Sequence, residues 1–200
     1  MALGTSYLYE KVAALEVDGV ERRVRCESGA EFTAPAVIIA TGTVERLLNI
    51  PGEQEMIGRG ISFCAVCDAA FYRNKPVIIV GAGNAAFEES LYLAEFASKV
   101  TILARRDVIS AEQITQDKVA ANPKIEVLTW RVPQEVIIEN NRVAGLKVLN
   151  KQTGAVETML AKGVFPYIGA DPVTEFCRDL GITNDKGYLV VKSDMSTAVA

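Results

Sequence analysis

At 200 residues, 50% hydrophobic and 23% charged, the chain is too apolar to be disordered and long enough for one full domain and part of another. A net charge of −4 with no long Lys/Arg run argues against a nucleic-acid or membrane-surface partner, and no run of about 18 apolar residues could span a bilayer; a soluble, cytoplasmic chain acting on a small molecule or a protein is expected. Four cysteines are too few for a secreted disulfide scaffold, and the absence of histidine removes the commonest general base and metal ligand.

Within residues 1–34, Arg22 to Cys26, a polar turn at Ser28-Gly29 and Glu31 to Thr33 read as small antiparallel strands. Ala36-Val-Ile-Ile-Ala40 is continuously apolar, which predicts a buried strand. It ends at Thr41-Gly42-Thr43, where the glycine either lets backbone approach a ligand or simply turns the chain. Leu47 to Gly60, with Pro51-Gly52, Gly58 and Gly60, reads as a connecting loop and a first domain boundary. Val77 to Val80 is a second buried strand. Asn84 to Ala97 sets Ala86, Phe87, Leu91, Leu93, Ala94 and Ala97 against a Glu88-Glu89 face, the spacing of an amphipathic helix. With Val100 to Ala104 as the next strand, residues 77–104 make a right-handed βαβ unit in a parallel sheet.

A second helix over Ala111 to Ala121 stops at Asn122-Pro123, and Ile125 to Thr129 is a further strand. Gln134 to Glu139, Arg142 to Leu149 and Val156 to Leu160, broken at Asn140-Asn141 and Thr153-Gly154, form an antiparallel meander. Gly163 to Gly169 would rejoin the parallel sheet. Asp171-Pro172 predicts the N-cap and first position of a short helix closed by Gly181, after which the pattern loosens.

The chemistry concentrates between Cys64 and Asp107. Gly81-x-Gly83-x-x-Ala86 joins a buried strand to an amphipathic helix: the first glycine allows the tight turn, the second clears space for a pyrophosphate, and the small third residue lets helix and strand pack. The helix start offers unpaired N–H groups to phosphates; the alternative is a purely structural turn. At the end of the next strand, where an acidic residue would bind the ribose of NAD, stand Arg105-Arg106. A guanidinium pair suits a 2′-phosphate and favours NADPH over NADH, a solvated basic strand end being the alternative.

Cys64-Ala-Val-Cys67-Asp68 is a Cys-x-x-Cys pair whose spacing suits a bridgeable geometry and a lowered thiol pKa. Zinc would need four ligands, and no histidine or second pair supplies them. Asp68 is either a proton donor and acceptor for the pair or a capping carboxylate. A hydride does not reduce a disulfide directly with useful specificity, so a flavin is expected between nicotinamide and dithiol, although no second strand-glycine turn-helix unit is present to hold one.

These residues resemble the low-molecular-weight thioredoxin reductases. Cys64-Ala-Val-Cys67-Asp68 is similar to their redox motif, Phe71-Tyr-Arg-Asn-Lys75 to the segment after it, and Gly81-Ala-Gly-Asn-Ala-Ala-Phe-Glu-Glu89 to their NADPH fingerprint, which brings in Asn84, Ala85, Ala86 and Glu88. Val37-Ile-Ile-Ala-Thr41-Gly42 resembles the strand leaving the flavin domain, and Tyr167-Ile168-Gly169 the strand returning to it.

The resemblance implies an α/β chain with a Rossmann-like three-layer NAD(P)-binding domain, parallel sheet plus antiparallel β-meander, and remnants of a FAD-binding domain. Residues 1–44 would be a partial FAD-binding segment, 45–172 the NADPH-binding domain with its dithiol, and 173–200 a partial return. It further implies that NADPH reduces FAD, FAD reduces the Cys64/Cys67 disulfide, and the dithiol reduces thioredoxin or a similar small disulfide protein. Cys67 would face the flavin, Cys64 would attack the partner, and Asp68 would act as acid and base. A homodimer is implied, with hinges near Thr43-Val44 and Ala170-Asp171.

Three departures accompany the resemblance: these 200 residues begin where the latter part of the family's flavin domain would be and so hold no N-terminal flavin fingerprint, they end at Met195 to Ala200 where the family would continue into a second flavin-contacting segment, and Ala104 and Ser110 stand where the family has histidine and a third arginine. The first two predict weak FAD binding and nearly colourless protein. The third leaves open a relative that takes electrons from ferredoxin or another donor, beside a nucleotide-binding module without turnover.

Overall fold

In the computed structural model, which describes residues 4–199, the chain divides into two compact units: Glu45–Gly169, and Met1–Val44 with Ala170–Ala200. The larger unit is built on four parallel strands, β5 (Pro76–Val80), β6 (Lys99–Leu103), β7 (Ile125–Leu128) and β11 (Gly163–Pro166), in the order β11-β5-β6-β7. Strand β5 shows why this sequence makes a covered sheet. Its side chains alternate between faces, and Val77 and Ile79 enter one core while Ile78 and Val80 enter another.

The first core lies under α3 (Asn84–Phe96) and α4 (Gln113–Ala121), where Phe87, Leu93 and Val119 meet Val100, Ile102 and Phe165. The second lies under the antiparallel meander β8 (Arg131–Glu139), β9 (Arg142–Asn150) and β10 (Val156–Leu160), where Val136, Val143, Leu146 and Val148 meet Leu103 and Val164. A sheet with apolar residues on both faces needs two covering layers, and each fully buried Val, Leu, Ile or Phe contributes about 1.5–3 kcal/mol. The meander is set by its turns: Asn140 and Asn141 take φ of 51° and 59°, the left-handed pair of a two-residue hairpin. This is the α/β, Rossmann-like three-layer arrangement read from the sequence, with the βαβ unit, the meander and the returning strand where they were expected.

Leu47 to Gly60 is more than a connector. It carries α1 (Glu53–Met56), and Glu53, 1% exposed, accepts the Leu48 and Asn49 N–H groups at 2.8 and 2.7 Å.

The smaller unit joins β1 (Val12–Asp18), β2 (Glu21–Cys26) and β3 (Glu31–Ala34) in an antiparallel meander. Leu15, Cys177 and Ile182 form its core, with Val24, Val37 and Ile39 against them. Two expectations are corrected here. Residues 36–40 form no strand: Val37 and Ile39 turn toward that core but Ile38 is 93% exposed, so the run has one covered side and no neighbouring strand to pair with. Asp171-Pro172 opens no helix either. It belongs to β12 (Ala170–Pro172), which pairs with β4 (Thr43–Glu45), and the following 3₁₀ turn, Glu175–Leu180, starts after Thr174 and ends on Gly181 at φ 64°. No helix among the described residues is long and apolar enough to cross a membrane.

Candidate functional site

In the larger unit Cys64 and Cys67 are joined by a disulfide, their Cα atoms 5.3 Å apart, at the start of the single-turn helix α2 (Ala65–Asp68). Three amides of this turn are held by named acceptors. Ser62 Oγ, on a buried residue, accepts the Cys64 N–H at 3.1 Å. The Tyr167 hydroxyl accepts the Ala65 N–H at 2.9 Å, and Cys64 Sγ accepts the Cys67 N–H at 3.2 Å. Cys64 is half-buried and Cys67 exposed.

Beside the dithiol, Asp68 lines a cleft of about 520 Å³ together with Arg59, Phe71, Tyr72, Arg142 and Lys162. Val66 and Phe71 are 63% and 71% exposed, so apolar surface flanks the sulfurs. Burial and then the charge of Asp68 push the Tyr72 phenol up.

A second cleft, of about 610 Å³, opens where β5, β6 and β11 end, the edge at which open α/β sheets take their ligands. It brings together Gly81, Gly83, Arg105, Arg106, Ile168 and Gly169. The two turn glycines differ in what requires them. Gly81 has φ 148° and a Cβ there would run into the Tyr167 carbonyl oxygen and crowd the Ala86 methyl, so strand, turn and helix need it for packing. Gly83 has ordinary extended backbone, and a Cβ on it would meet only Ser110 Oγ, at 3.8 Å. The space beside Gly83 is open, with room for a ligand group. With two guanidinium groups at the cleft, these residues fit the phosphates of a dinucleotide.

The other residues proposed from the sequence sit as follows. Ala85 and Glu88 are exposed on α3, and Ala86 is buried against the sheet. The Asn84 side chain accepts the Glu112 N–H at 2.8 Å and so ties down the loop before α4. Glu89, the neighbour of Glu88, has one carboxylate oxygen buried without a partner among the described residues, and burial followed by Glu88 raises its pKa. Thr41 and Gly42 belong to the smaller unit, where Thr41 Oγ1 donates to the Val173 carbonyl at 2.6 Å and the Gly42 carbonyl accepts the Val173 N–H at 3.0 Å.

Sequence reasoning passed over Arg46, Arg131 and Tyr167 as individual residues, although all three line the second cleft. Arg131 is held by Glu157 at 3.3 Å and by the Thr129 carbonyl at 3.1 Å, while its N–H reaches the Ala104 carbonyl beside Arg105. No local pattern marks such residues, because the partners are distant in sequence.

The smaller unit shows, among its described residues, antiparallel strands and one 3₁₀ turn but no strand-glycine turn-helix unit. These residues do not form a cradle for a flavin pyrophosphate.

A Rossmann-type glycine turn and a Cys-x-x-Cys disulfide within one unit define a class: a nucleotide-binding fold joined to a redox dithiol. The chain belongs to the pyridine nucleotide-disulphide oxidoreductase family, whose profile matches residues 4–200. It is 40% identical to a thioredoxin reductase of Listeria monocytogenes over 194 residues, covering 97% of this chain and 60% of that protein. It is 40% identical to one of Bacillus subtilis over 196 residues, covering 98% and 62%. The crystal structure of Lactococcus lactis thioredoxin reductase superposes with a TM-score of 0.86 at 39% identity, covering 99% of this chain and 65% of that one. The chain thus spans about three fifths of the length of the curated relatives it matches.

Proposed function

We propose that the protein acts in a thioredoxin-disulfide reductase-type reaction, in which NADPH, by way of FAD, reduces the Cys64–Cys67 disulfide and the dithiol reduces thioredoxin or a similar small disulfide protein. The observation that carries this reading is the joint presence, in one folded unit, of a formed Cys64–Cys67 disulfide and a glycine-turn cleft with room for phosphate at Gly83. A flavin, when bound, supplies the step from nicotinamide hydride to disulfide. This chain's described residues contribute the two ends of the route.

At the nucleotide end, Arg105 and Arg106 would hold the 2′-phosphate and the N–H groups at the start of α3 would hold the pyrophosphate. At the dithiol end, the Cys67 N–H that points at Cys64 Sγ stabilises a thiolate there once the disulfide is reduced. Cys64 then attacks the partner's disulfide, forming a mixed disulfide and releasing one partner sulfur as thiolate. Asp68 takes the Cys67 proton and passes it to that leaving sulfur. Cys67 attacks Cys64 Sγ, the mixed disulfide breaks, and the second partner sulfur leaves. Two electrons have moved to the partner and Cys64–Cys67 is disulfide again. The cleft beside Asp68, flanked by Phe71 and Val66, is where the partner's apolar rim would sit.

The test is titration with NADPH and with NADH, read by the fluorescence of Trp130, the single tryptophan. NADPH should bind more tightly, and Arg105→Ala should weaken it by about tenfold or more while leaving NADH unchanged. Failure to bind either nucleotide would overturn the donor assignment and point to a different electron donor. Reduction of oxidised thioredoxin by the chain after its Cys64–Cys67 disulfide has been reduced with dithiothreitol and the reductant removed, lost in Cys64→Ser, tests the rest.

A further inference from the structure

Tyr167 belongs to two places at once. Its backbone follows β11 and walls the nucleotide cleft, where its carbonyl packs against Gly81; its side chain leaves that cleft and ends on the first amide of the dithiol turn. We propose that Tyr167 is a positioning residue for the dithiol: by accepting the Ala65 N–H, its hydroxyl fixes the turn that aims the Cys67 N–H at Cys64 Sγ, and so sets the reactivity of Cys64. The proposal rests on the reading of Cys64 as the attacking thiol.

The hydrogen bond from Ala65 to Tyr167 has no substitute. Ala65 is 1% exposed, so its N–H cannot turn to water if the hydroxyl is removed. A buried donor left without an acceptor is costly enough that a one-turn helix shifts to satisfy it. Two residues further along the same turn, the Cys67 N–H meets Cys64 Sγ at 3.2 Å. Ser62 anchors only the Cys64 end of the turn, through the Cys64 N–H. The Ala65 end depends on Tyr167, which lies 102 residues away in sequence.

The tyrosine is suited to hold this contact across the working pH range. Burial pushes its phenol up to about 12, the Ala65 hydrogen bond pulls it down in part, and the charges of Glu89 and Asp68 push it further up. It therefore stays a neutral hydroxyl while the thiols titrate. The titratable and charged groups around the site are Asp68 on α2, Tyr72 on the turn that follows it, Glu89 on α3 with Glu88 beside it, and, across the cleft that Asp68 lines, Arg59, Lys75, Glu139, Arg142 and Lys162. None of these is changed in the comparison below.

The experiment uses the full chain carrying Cys67→Ser, which keeps the backbone N–H at position 67 and leaves Cys64 as the accessible thiol, since Cys26 and Cys177 are buried. The rate of alkylation by iodoacetamide is measured against pH, with and without Tyr167→Phe. Loss of the hydroxyl should move the midpoint of the profile upward and slow alkylation at pH 7 by about fivefold, the loss of one hydrogen bond to a charged sulfur. In the chain with both cysteines, the same substitution should make the Cys64–Cys67 couple more reducing in glutathione buffers. Superimposable alkylation profiles would overturn the proposal. So would a profile without the substitution that matches a free cysteine. Thermal melts followed by Trp130 confirm that the isosteric Phe variant folds. NADP⁺ binding, read the same way, keeps the donor assignment separate: its absence from both proteins would count against the nucleotide reading, while the profiles still decide the role of Tyr167.

Discussion

Gly81 and Gly83 look alike in the sequence motif but are held by different constraints, and the difference can be measured. At Gly81 an added methyl meets the Tyr167 backbone and the φ of 148° disfavours any L side chain. Gly81→Ala should destabilise the protein by about 3 kcal/mol and lower its melting temperature accordingly. At Gly83 the backbone is unstrained and the nearest atom to a new Cβ is Ser110 Oγ at 3.8 Å. Gly83→Ala should leave the melt within about 0.5 kcal/mol of the parent but cut NADPH binding at least about tenfold, because the methyl fills the phosphate's approach. Equal nucleotide affinity in Gly83→Ala would remove the phosphate reading of this turn. Glu89 gives a pH-dependent counterpart. Its folded pKa is raised above the ordinary glutamate value of about 4.5, chiefly by burial, so the folded state holds this proton more tightly than the unfolded chain. The penalty is absent below about pH 4.5 and grows as pH rises through the folded value, where the buried carboxylate ionises. Glu89→Gln should therefore raise the melting temperature more at pH 8 than at pH 4.5; a gain independent of pH would show that ionisation is not the cause.

At the scale of elements, legibility in the sequence followed how local the determining physics is. The alternation of Val77 and Ile79 with Ile78 and Val80, the small residues at the α3 start, and the Asn140-Asn141 turn each carry their reason within a few residues, and these elements were read correctly. The run at 36–40 failed because an apolar stretch becomes a strand only if another strand pairs with it, and Ile38 at 93% exposure has none. Asp171-Pro172 carries a helix-start signal, but pairing with β4 claims it first. The loop at 47–60 hid a buried carboxylate, since nothing local distinguishes Glu53 from a surface glutamate. Within the candidate site the glycine turn, Arg105, Arg106 and the cysteines were legible; the contact of Tyr167 with Ala65 was not, because it is made between distant segments. Glu53 supplies the test at this scale. Glu53→Ala leaves the Leu48 and Asn49 N–H groups unpaired and should cost about 2–4 kcal/mol. Glu53→Gln keeps one oxygen acceptor and should cost less. Equal losses would mean that the packing of α1, rather than these bonds, holds the segment.

The distribution of cores bears on what the chain can do as a whole. Both large clusters, one under α3 and α4 and the other under the meander, draw their members from Glu45–Gly169, while the third cluster, around Leu15, Cys177 and Ile182, lies in the smaller unit. Both clefts and the disulfide also lie within Glu45–Gly169. A unit of that size with two covered sheet faces meets the usual requirements for independent folding. Residues 45–169 expressed alone should melt in one cooperative transition, read by Trp130, within a few degrees of the same signal in the full chain. The excised unit should also bind NADPH with the same affinity and form the Cys64–Cys67 disulfide. If it folds but does not bind, the nucleotide site needs residues outside this unit. If it fails to fold, the smaller unit contributes to its stability, and the two clusters under the sheet are insufficient by themselves. Retention of both properties would confine the chemistry of this chain to 45–169 and make that unit sufficient for every nucleotide and thiol measurement proposed above.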